Sequence, residues 1–356
     1  MTKMILLMAF VTIAFPTFAQ NSDTLLLNKS KTTISILGVG DLMLGSTYPQ
    51  GALLPPNMDC FSLIADVASS LGNADLTIGN LEGCLSDNAP REKICRDTTI
   101  CYAFRMPEKF GSCFKDAGFD VLTIANNHSG DFGYQGREST IKILDSLGIY
   151  HAGWIKYPTS IFSKDSIKYG VASFAPNSGT VDIRDVEEAK RIVAELAVQC
   201  QIVIVTFHGG AEGAEHQHVT RQMEEFYGEN RGNVYEFAHA LIDAGADLVF
   251  GHGPHVPRAV ELYNDKFIAY SLGNFCTYGK FNTNGPNGLA PMIKVTLDTT
   301  GFFIEGQILS AWQPGKLGTF MDSLNRAAQK IKHLTEADFP ETLLNISETG
   351  LIERKL

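Results

Sequence analysis

The sequence predicts an α/β protein in which a largely parallel sheet is covered by helices on both faces. The first observation is that short apolar runs rich in β-branched residues alternate with amphipathic stretches of helical periodicity. The second is that several helical stretches end in glycine, as in "KDAG" and "DSLG". Strands that alternate with helices are joined by parallel crossovers, so the sheet is expected to be buried on both faces.

The first half of the chain contains three strand–helix repeats, each an apolar run followed by an amphipathic stretch. The predicted strands are residues 33–40, 74–83 and 119–128, and the predicted helices are residues 59–72, 106–118 and 133–148. We interpret this part of the chain as a βαβ series.

The second half repeats the rhythm and then changes it. The predicted strands are residues 167–175, 201–208 and 246–253, and the predicted helices are residues 185–200 and 234–245. After residue 255 the turn signals "YNDK" and "DTTG" each separate two short apolar runs, which predicts two hairpins. Strands without intervening helices therefore complete the architecture.

Residues 1–20 have the layout of a secretory signal peptide. Lys3 lies near the start, an apolar stretch covers residues 4–15, and small residues lie near the end. The apolar stretch is shorter than the roughly 20 residues that a membrane-spanning helix needs, and an uncleaved anchor is the alternative. We therefore expect an exported protein, in the periplasm or the extracellular space.

The charge balance argues against a nucleic-acid partner. The formal net charge is −10, and removing residues 1–20, with one lysine and no acid, leaves 28 − 39 = −11. An acidic chain of this kind is not attracted to polyanions.

All seven cysteines lie after residue 20, where disulfides can form if the protein is exported. Five of them fall in one segment, at positions 60, 84, 95, 101 and 113, and "CRDTTIC" predicts a short loop closed by Cys95 and Cys101. Spacing does not determine the connectivity, and an odd count leaves at least one thiol over. Zinc binding by this cluster is the alternative, although no C-x-x-C motif occurs.

Polar side chains directly follow five successive apolar runs. In order they are Asp41; Asn80 and Glu82; Asn126, Asn127 and His128; His208; and finally His252 and His255. In open α/β sheets the ligand site lies beyond the carboxyl ends of the parallel strands, so we expect these groups to meet at one sheet edge. Taken singly, Asp41 is better explained as a helix cap. Glu82, Asn127 and His128 fit a hydrogen-bonded turn as well as a site, and His208 before two glycines favours a site, because the glycines let a ligand approach closely.

The donor types indicate a divalent metal site. Two carboxylates, one amide and three imidazoles, with no cysteine, suit Mn, Fe or Zn better than Ca or a structural zinc. Six donors exceed what one tetrahedral ion needs, so we expect one or two ions. A pair bridged by a carboxylate would activate water for attack on a phosphoester.

The motifs "GVGDLMLG", "ADLTIGNLEG", "GFDVLTIANNHSGDFG", "VTFHGGAE" and "GADLVFGHGPHV…IAYSLGNF" occur in this order. They resemble the CapA family, named for bacterial capsule and poly-gamma-glutamate synthesis and related to the calcineurin-like metallophosphoesterases. The resemblance covers residues 33–298 and implies a four-layer α/β/β/α sandwich. Residues 299–356 would then form terminal strands and a peripheral helical tail.

The resemblance also implies roles for the residues at the strand ends. The metal ligands carried over are Asp41, Glu82, Asn127, His208, His252 and His255. Glu82 would bridge two ions, with Asn80 as the alternative, and His128 would protonate the leaving oxygen. Met43 stands where the superfamily's first motif has a histidine, so the second ion would be bound weakly or not at all.

Neighbouring loop residues are candidates for substrate binding. They are Asn80, Glu212, Arg231, Arg258 and Asn274, with Glu229 close to Arg231 in the sequence. Arg258 is suited to a carboxylate or a phosphate. The alternative for Arg258 is a surface ion pair with Glu261.

Two classes of function fit these residues. The first is a metal-dependent hydrolase that acts on an extracytoplasmic phosphoester or on a cell-wall or gamma-glutamyl polymer. The second is a non-hydrolytic accessory factor in poly-gamma-glutamate capsule synthesis or export, with capsule-synthesis membrane proteins as partners. A glycosidase using Glu82 and Asp41 is a third hypothesis, but it leaves the histidines unexplained.

Overall fold

The computed structural model describes residues 32–49, 53–94 and 102–355. The expected signal peptide at residues 1–20 and the expected Cys95–Cys101 loop lie outside the described residues. No described helix combines the length and the apolar character needed to cross a membrane.

The chain forms twenty-one strands and six α-helices within the described residues. The strands are β1 (Thr33–Met43), β2 (Leu76–Leu81), β3 (Cys84–Leu85), β4 (Arg105–Met106), β5 (Val121–Thr123), β6 (Tyr150–Ala152), β7 (Thr159–Lys164), β8 (Ile167–Phe174), β9 (Ile202–His208), β10 (Glu224–Phe226), β11 (Glu229–Gly232), β12 (Leu248–His252), β13 (Val260–Tyr263), β14 (Lys266–Ala269), β15 (Asn274–Thr277), β16 (Met292–Asp298), β17 (Phe303–Leu309), β18 (Ala311–Trp312), β19 (Phe320–Met321), β20 (Leu344–Ile346) and β21 (Leu351–Arg354). The helices are α1 (Ala65–Leu71), α2 (Gly111–Asp116), α3 (Gly133–Leu147), α4 (Val186–Gln199), α5 (Val234–Asp243) and α6 (Arg326–Asp338).

Two of the predicted helices begin at side-chain caps. The Asp185 carboxylate accepts from the Glu188 backbone N–H at the start of α4, and the Asn233 side chain accepts from the Glu236 N–H at the start of α5. These bonds satisfy amide groups that have no partner within the helix. The helices predicted at residues 59–72 and 106–118 are shorter than expected, because each begins with a 3-10 turn.

Nine strands form the first sheet, with β1 at its centre. The order is β20-β21-β17-β16-β1-β2-β5-β6, and β15 also pairs with β1. The strands β2, β5 and β6 run parallel to β1, as the βαβ pattern predicts. The pair β16–β17 is the hairpin predicted at "DTTG".

Six strands form the second sheet, in the order β13-β14-β12-β9-β8-β7. Its centre, β8, β9, β12 and β14, is parallel. The antiparallel pair β13–β14 is the hairpin predicted at "YNDK".

Three apolar clusters show how the sheets and helices are layered. One cluster lies between the sheets and joins Ile36 of β1 to Ile204 of β9. A second packs the outer face of the first sheet against α1, α2 and α3, and the third packs the second sheet against α4 and α5. The predicted four-layer α/β/β/α sandwich is therefore confirmed.

Residues 299–356, for which we expected terminal strands and a peripheral helical tail, contain strands β17 to β21 and helix α6, and this helix contributes to the core. Strand β17 pairs with β16, and β21 pairs with β17, so the tail extends the first sheet. Ile331 of α6 and Ile352 of β21 belong to the apolar cluster between the sheets. The spacing of apolar residues in this segment predicts where its helix and strands lie. It does not predict which surface of the protein they pack against.

A disulfide joins Cys60 to Cys113 across 53 residues of sequence. Cys84, Cys200 and Cys276 are free within the described part of the chain. The disulfide ties the segment before α1 to α2 on the outer face of the first sheet.

Reduction of the disulfide, or a Cys60→Ser substitution, is expected to lower the free energy of unfolding by about 2–4 kcal/mol, because the bond restricts the unfolded chain. Denaturant unfolding measured with and without reductant checks this. The matched control is Cys200→Ser, which removes a free thiol and is expected to respond to reductant as the wild type does. An unfolding free energy of wild type that reductant leaves unchanged would contradict the prediction.

Candidate metal centre and catalytic site

The candidate site lies where the carboxyl ends of five strands meet, and these strands belong to both sheets. Strands β1, β2 and β5 of the first sheet bring Asp41, Glu82 and the 126–128 segment, whereas β9 and β12 of the second bring His208 and His252. The prediction that these side chains meet at the edge of a single sheet is therefore wrong, because two sheets contribute them. Periodicity does not say which strands share a sheet.

Three of the predicted ligands form a buried group. One donor atom from each of Asp41, Glu82 and His208 lies within 4.8 Å of the others, and all three residues are 0% exposed. His208 Nδ1 lies 3.7 Å from Glu82 Oε2. A cluster of two carboxylates and an imidazole, sealed from solvent, has the composition of a divalent metal site.

The same carboxylates have strongly perturbed pKa values. Burial raises the pKa of Glu82 to about 8, and the nearby Asp41 charge acts in the same direction. Burial would also raise the pKa of Asp41, but His252 and His255 outweigh it and hold that pKa well below its usual range. Without a cation, the two carboxylates thus cannot easily ionise together.

Unpartnered atoms around this group fit a metal ion. Glu82 Oε1, Asn127 Oδ1, His252 Nδ1 and both ring nitrogens of His208 are buried without a hydrogen-bond partner among the described residues. Burial holds the pKa of His208 well below its ordinary value, so its imidazole is neutral, as ligation requires. Buried polar atoms are rarely left unpaired, and a cation would take one ring nitrogen of His208 together with the other unpartnered donor atoms.

His255 differs from the other predicted ligands. Its Nδ1 lies 2.8 Å from Asp41 Oδ2, and the side chain is 14% exposed. Burial would lower the pKa of His255, but the hydrogen bond to Asp41 and its charge raise that pKa to about 10. The structure therefore places His255 against Asp41, as a hydrogen-bond partner of that carboxylate.

Asn80 organises the carboxylates. Its Nδ2 lies 2.8 Å from Asp41 Oδ1 and 2.7 Å from Glu82 Oε2, and its Oδ1 accepts from Asn126 Nδ2 at 3.0 Å. The side chain is 1% exposed and fully engaged. The geometry gives no room for the substrate contact that we expected of Asn80.

His128 is paired with an acid that we did not include among the predicted site residues. His128 Nδ1 lies 2.7 Å from Asp131 Oδ2, and Lys93 Nζ lies 2.9 Å from Asp131 Oδ1. Burial lowers the pKa of His128, while the Asp131 charge opposes that effect. The His-x-x-Asp spacing in "NNHSGD" is a signal that could have identified Asp131, whereas nothing local marks Lys93.

Two glycines allow the backbone to close around the site. A Cβ at Gly40, next to Asp41, would lie 1.9 Å from the Gly273 carbonyl oxygen. Gly253 has φ +114°, and a Cβ there would lie 2.8 Å from the Gly209 nitrogen. Only glycine fits either position, which explains the local sequences "GVGD" and "GHGPH".

Two phenylalanines connect the histidines on opposite sides of the site. Phe104 lies 4.2 Å from the His128 ring and stacks on Phe281 at 5.0 Å, and Phe281 lies 5.4 Å from the His255 ring. These ring contacts restrict the orientation of both imidazoles. No periodic pattern in the sequence marks either phenylalanine as part of the site.

Asn274 lies beside Asp41 in the β1–β15 pair. Its Nδ2 donates to the carbonyl oxygens of His255 and Asn287 at 3.2 and 3.1 Å. These bonds hold the histidine turn against the 282–288 loop. The Oδ1 atom of Asn274 is buried and has no hydrogen-bond partner among the described residues, so it stays a candidate for substrate contact.

Arg258 does not face the candidate site. Its side chain is 0% exposed, and it donates to both Glu224 carboxylate oxygens at 2.8 Å and to the Ala211 carbonyl oxygen at 3.1 Å. The substrate-binding role that we expected of Arg258 is therefore wrong, because its donors are engaged inside the fold. The expected partner Glu261 instead contacts His239 and Tyr270.

Arg231 and Glu212 lie together at the edge of the site. Arg231 Nη1 is 2.9 Å from Glu212 Oε1, and Arg231 Nη2 is 3.2 Å from Glu229 Oε2. The Arg231 backbone oxygen accepts from the Gly210 N–H at 3.0 Å, two residues after His208. The structure thus brings this predicted pair close to the buried group of Asp41, Glu82 and His208.

Residues 35–278 match the family model described as "Bacterial capsule synthesis protein PGA_cap". The PGA biosynthesis protein CapA of Bacillus subtilis is 27% identical over 262 residues, covering 69% of this chain and 64% of that protein. The capsule biosynthesis protein CapA of Bacillus anthracis is 25% identical over 259 residues, covering 67% and 58%. The chain thus spans about three fifths of the length of these relatives.

A solved structure with a similar backbone comes from Thermus thermophilus, where it is described as a hypothetical protein. It has a TM-score of 0.47 and 15% sequence identity, covering 79% of this chain and 100% of that one.

Proposed function

This chain belongs to the bacterial capsule synthesis protein PGA_cap family, and from that premise we propose that it is an exported metal-dependent hydrolase. Its substrate is a phosphoester or an amide of a cell-wall or gamma-glutamyl polymer. The observation that carries the proposal is the buried group of Asp41, Glu82 and His208. The Cys60–Cys113 disulfide supports an oxidising compartment outside the cytoplasm.

The residues that would hold the ion are the buried group of two carboxylates and one imidazole, together with neighbouring residues that have unpartnered donor atoms. Asp41, Glu82 and His208 form the centre, and His252 Nδ1 and Asn127 Oδ1 complete the donor set. When bound, a divalent ion of the Mn, Fe or Zn class would stabilise negative charge and prepare a nucleophile from water at neutral pH.

The chain's own residues would supply the proton. Asp131 engages Nδ1 of His128, which leaves Nε2 as the nitrogen that can donate to the leaving atom. Asp131 also stabilises the imidazolium form that this donation requires. Phe104 packs 4.2 Å from the imidazole and restricts its rotation.

The purified protein is expected to contain a divalent metal, and Glu82→Gln and His208→Ala are each expected to lower the metal content at least about tenfold. Each substitution removes a donor from the buried group. Elemental analysis of the purified variants measures this. The matched control is His333→Ala, an exposed histidine of α6 that should leave the metal content unchanged. Equal metal content in the wild type and all three variants would contradict the proposed metal site.

A non-hydrolytic accessory role in capsule synthesis is the second candidate. It is favoured by Met43 at a position where the superfamily has a ligand, and by the names of the relatives, which refer to capsule and PGA biosynthesis. Such a factor would bind capsule-synthesis membrane proteins whether or not Asp41 and His208 are intact. A pull-down that these substitutions leave unchanged, together with hydrolysis absent in the presence of metal, would favour this role over the first.

A further inference from the structure

The helical layer over the second sheet leaves the outermost strand of that sheet uncovered. The apolar cluster between this sheet and the helices α4 and α5 includes side chains of β8, β9, β12 and β14. Strand β7 lies wholly within the described residues and contributes no side chain to this cluster. The face of β7 that points toward the helical layer is therefore open beside α4.

A groove of about 550 Å³ lies between β7 and α4. It is lined by Thr159 and Ile161 of β7 and by Ile192 and Leu196 of α4. Ile161 is 41% exposed, whereas Leu196 is 2% exposed. The groove thus has an apolar floor formed by the edge of a strand and the flank of a helix.

Further apolar side chains continue the groove toward α3. Ile155, which also lines the groove, is 60% exposed, and Tyr157 and Tyr134 are 38% and 57% exposed. The rings of these two tyrosines lie 5.8 and 5.4 Å from that of Trp154. Scattered apolar side chains are ordinary on a protein surface, but a contiguous set beside a groove is typical of an interaction site.

Strand β7 is also an open edge of the second sheet. Within the described residues it pairs with β8 alone, in antiparallel register from Thr159–Ala172 to Lys164–Ile167. Alternate backbone N–H and C=O groups of β7 therefore point away from the sheet, where a further strand can bind them. Because side chains alternate along a strand, every second residue of an added strand would enter the groove beside Ile161.

The charges at the groove favour a basic partner. Among the described residues that line it, one is basic, Arg191, and four are acidic, namely Asp182, Asp185, Glu188 and Glu195. Arg191 pairs with Glu188 and Glu195, and Arg184 beside the groove pairs with Asp182. Four acids against two arginines leave an excess of two negative charges. A second copy of this chain would bring the same excess to the interface, whereas lysine or arginine side chains would offset it.

We propose that β7 and this groove bind an extended basic segment of a partner protein by β-strand addition. The segment would place an aliphatic side chain against Ile161, with lysine or arginine two residues before and after it. The apolar stems of those basic side chains would lie over the floor, and their charges would reach the acids. Main-chain hydrogen bonds to β7 would supply affinity, and the groove would select the alternate side chains. This interaction does not depend on the metal centre or on hydrolysis.

The test measures the fluorescence anisotropy of a labelled peptide, TKTITKT, with the purified protein. We expect saturable binding that weakens as the salt concentration rises. The peptide TETITET should bind at least about 10-fold more weakly, because its charges repel the acids of the groove. Absence of saturable binding below about 1 mM, or equal binding of the two peptides, would overturn the proposal.

Backbone methylation tests strand addition directly. The N–H groups of successive residues in a strand point to opposite edges, so only one alternate set can face β7. Two further peptides carry N-methyl groups, one on the lysines and the isoleucine and the other on the threonines. We expect one of them to bind as TKTITKT does and the other about 10-fold or more weakly. Equal binding of the two methylated peptides would rule out strand addition.

Substitution of Ile161 tests the apolar contact. Ile161→Lys is expected to weaken binding of TKTITKT about 10-fold or more, because a charge replaces the aliphatic side chain in the groove. The matched control is Ile304→Lys, which changes an isoleucine of nearly the same exposure, 42%, on β17 of the first sheet. If Ile161→Lys does not fold, Ile155→Lys tests the same contact. Unchanged affinity in the folded groove variants would overturn the proposal.

Charge reversal tests the acidic side chains and the choice of partner. Glu195→Lys is expected to weaken binding about 3- to 10-fold. The matched control is Glu336→Lys, which changes an exposed glutamate of α6 that also forms an ion pair with a residue one helical turn away. Light scattering of the wild type should show a monomer at the concentrations used. A dimer that Ile161→Lys disperses would instead assign this edge to a second copy of the chain and overturn the proposal.

Discussion

Replacement of His128 with alanine is expected to reduce kcat of the metal-loaded protein by about 10²- to 10⁴-fold, the range of a general acid. The imidazole is held by Asp131 at 2.7 Å and is not part of the buried group of Asp41, Glu82 and His208. Metal content should therefore stay at the wild-type level. The measurement is steady-state hydrolysis of bis(p-nitrophenyl) phosphate and γ-glutamyl-p-nitroanilide, with elemental analysis of the same preparations.

Asp131→Asn is the companion variant, and it should retain the imidazole but lose the charge that stabilises the imidazolium. We expect a smaller loss of kcat than in His128→Ala, with KM little changed. His333→Ala, on the exposed face of α6, controls for general effects of removing a histidine. Full activity in His128→Ala would show that another group protonates the leaving atom.

Arg258→Met is expected to lower the free energy of unfolding by roughly 3–5 kcal/mol, because it leaves the Glu224 carboxylate buried and unpaired. The two side chains are 0% and 5% exposed, so water cannot replace the lost partner. The loss should appear in denaturant unfolding of the purified variant. The matched control is Arg354→Met, whose exposed pair with Asp265 should be worth about 0–1 kcal/mol.

A double variant separates the ion pair from simple loss of packing. Arg258→Met combined with Glu224→Leu removes both charges, and it should be more stable than Arg258→Met alone. A double variant that is as unstable as the sum of its two single variants would contradict this account. In that case, the methylene contacts of Arg258 rather than its charge would stabilise the 209–213 loop.

The order of strands and helices can be predicted from local pattern, because side-chain periodicity differs between the two. The runs predicted at residues 201–208 and 246–253 contain the strands β9 and β12, and the stretches predicted at residues 185–200 and 234–245 contain the helices α4 and α5. Both hairpins follow from turn chemistry at "YNDK" and "DTTG". Local pattern does not specify long-range pairing, so the pairing of β21 with β17 and of β20 with β21 cannot be predicted in this way.

At the site, the types of the residues can likewise be predicted from the sequence, whereas their partners cannot. Ligand-type side chains at strand ends can be read directly, and Asp41, Glu82 and His208 do converge. The partner of an arginine cannot be read in this way. Arg258 has Glu261 three positions away, yet it pairs with Glu224 across 34 residues, because the fold buries those two together.

The aromatic and lysine neighbours of His128 cannot be predicted from the sequence either. Phe104, Phe281 and Lys93 come from separate loops and have no regular spacing that points to a shared site. Their proximity depends on how the loops close over the strand ends. Only the contact between His128 and Asp131 could be predicted from the sequence, because the two residues lie within one turn.

Strand β16 has a consequence for where the chain can be shortened. The family match ends at residue 278, whereas β16 begins at Met292 and pairs with β1 from Thr33 to Val39. Cutting at the limit of the match would leave the central strand that carries Asp41 with an unprotected edge. Such an edge is a template for aggregation. The limits of the family match are therefore narrower than the smallest segment that can be expected to fold.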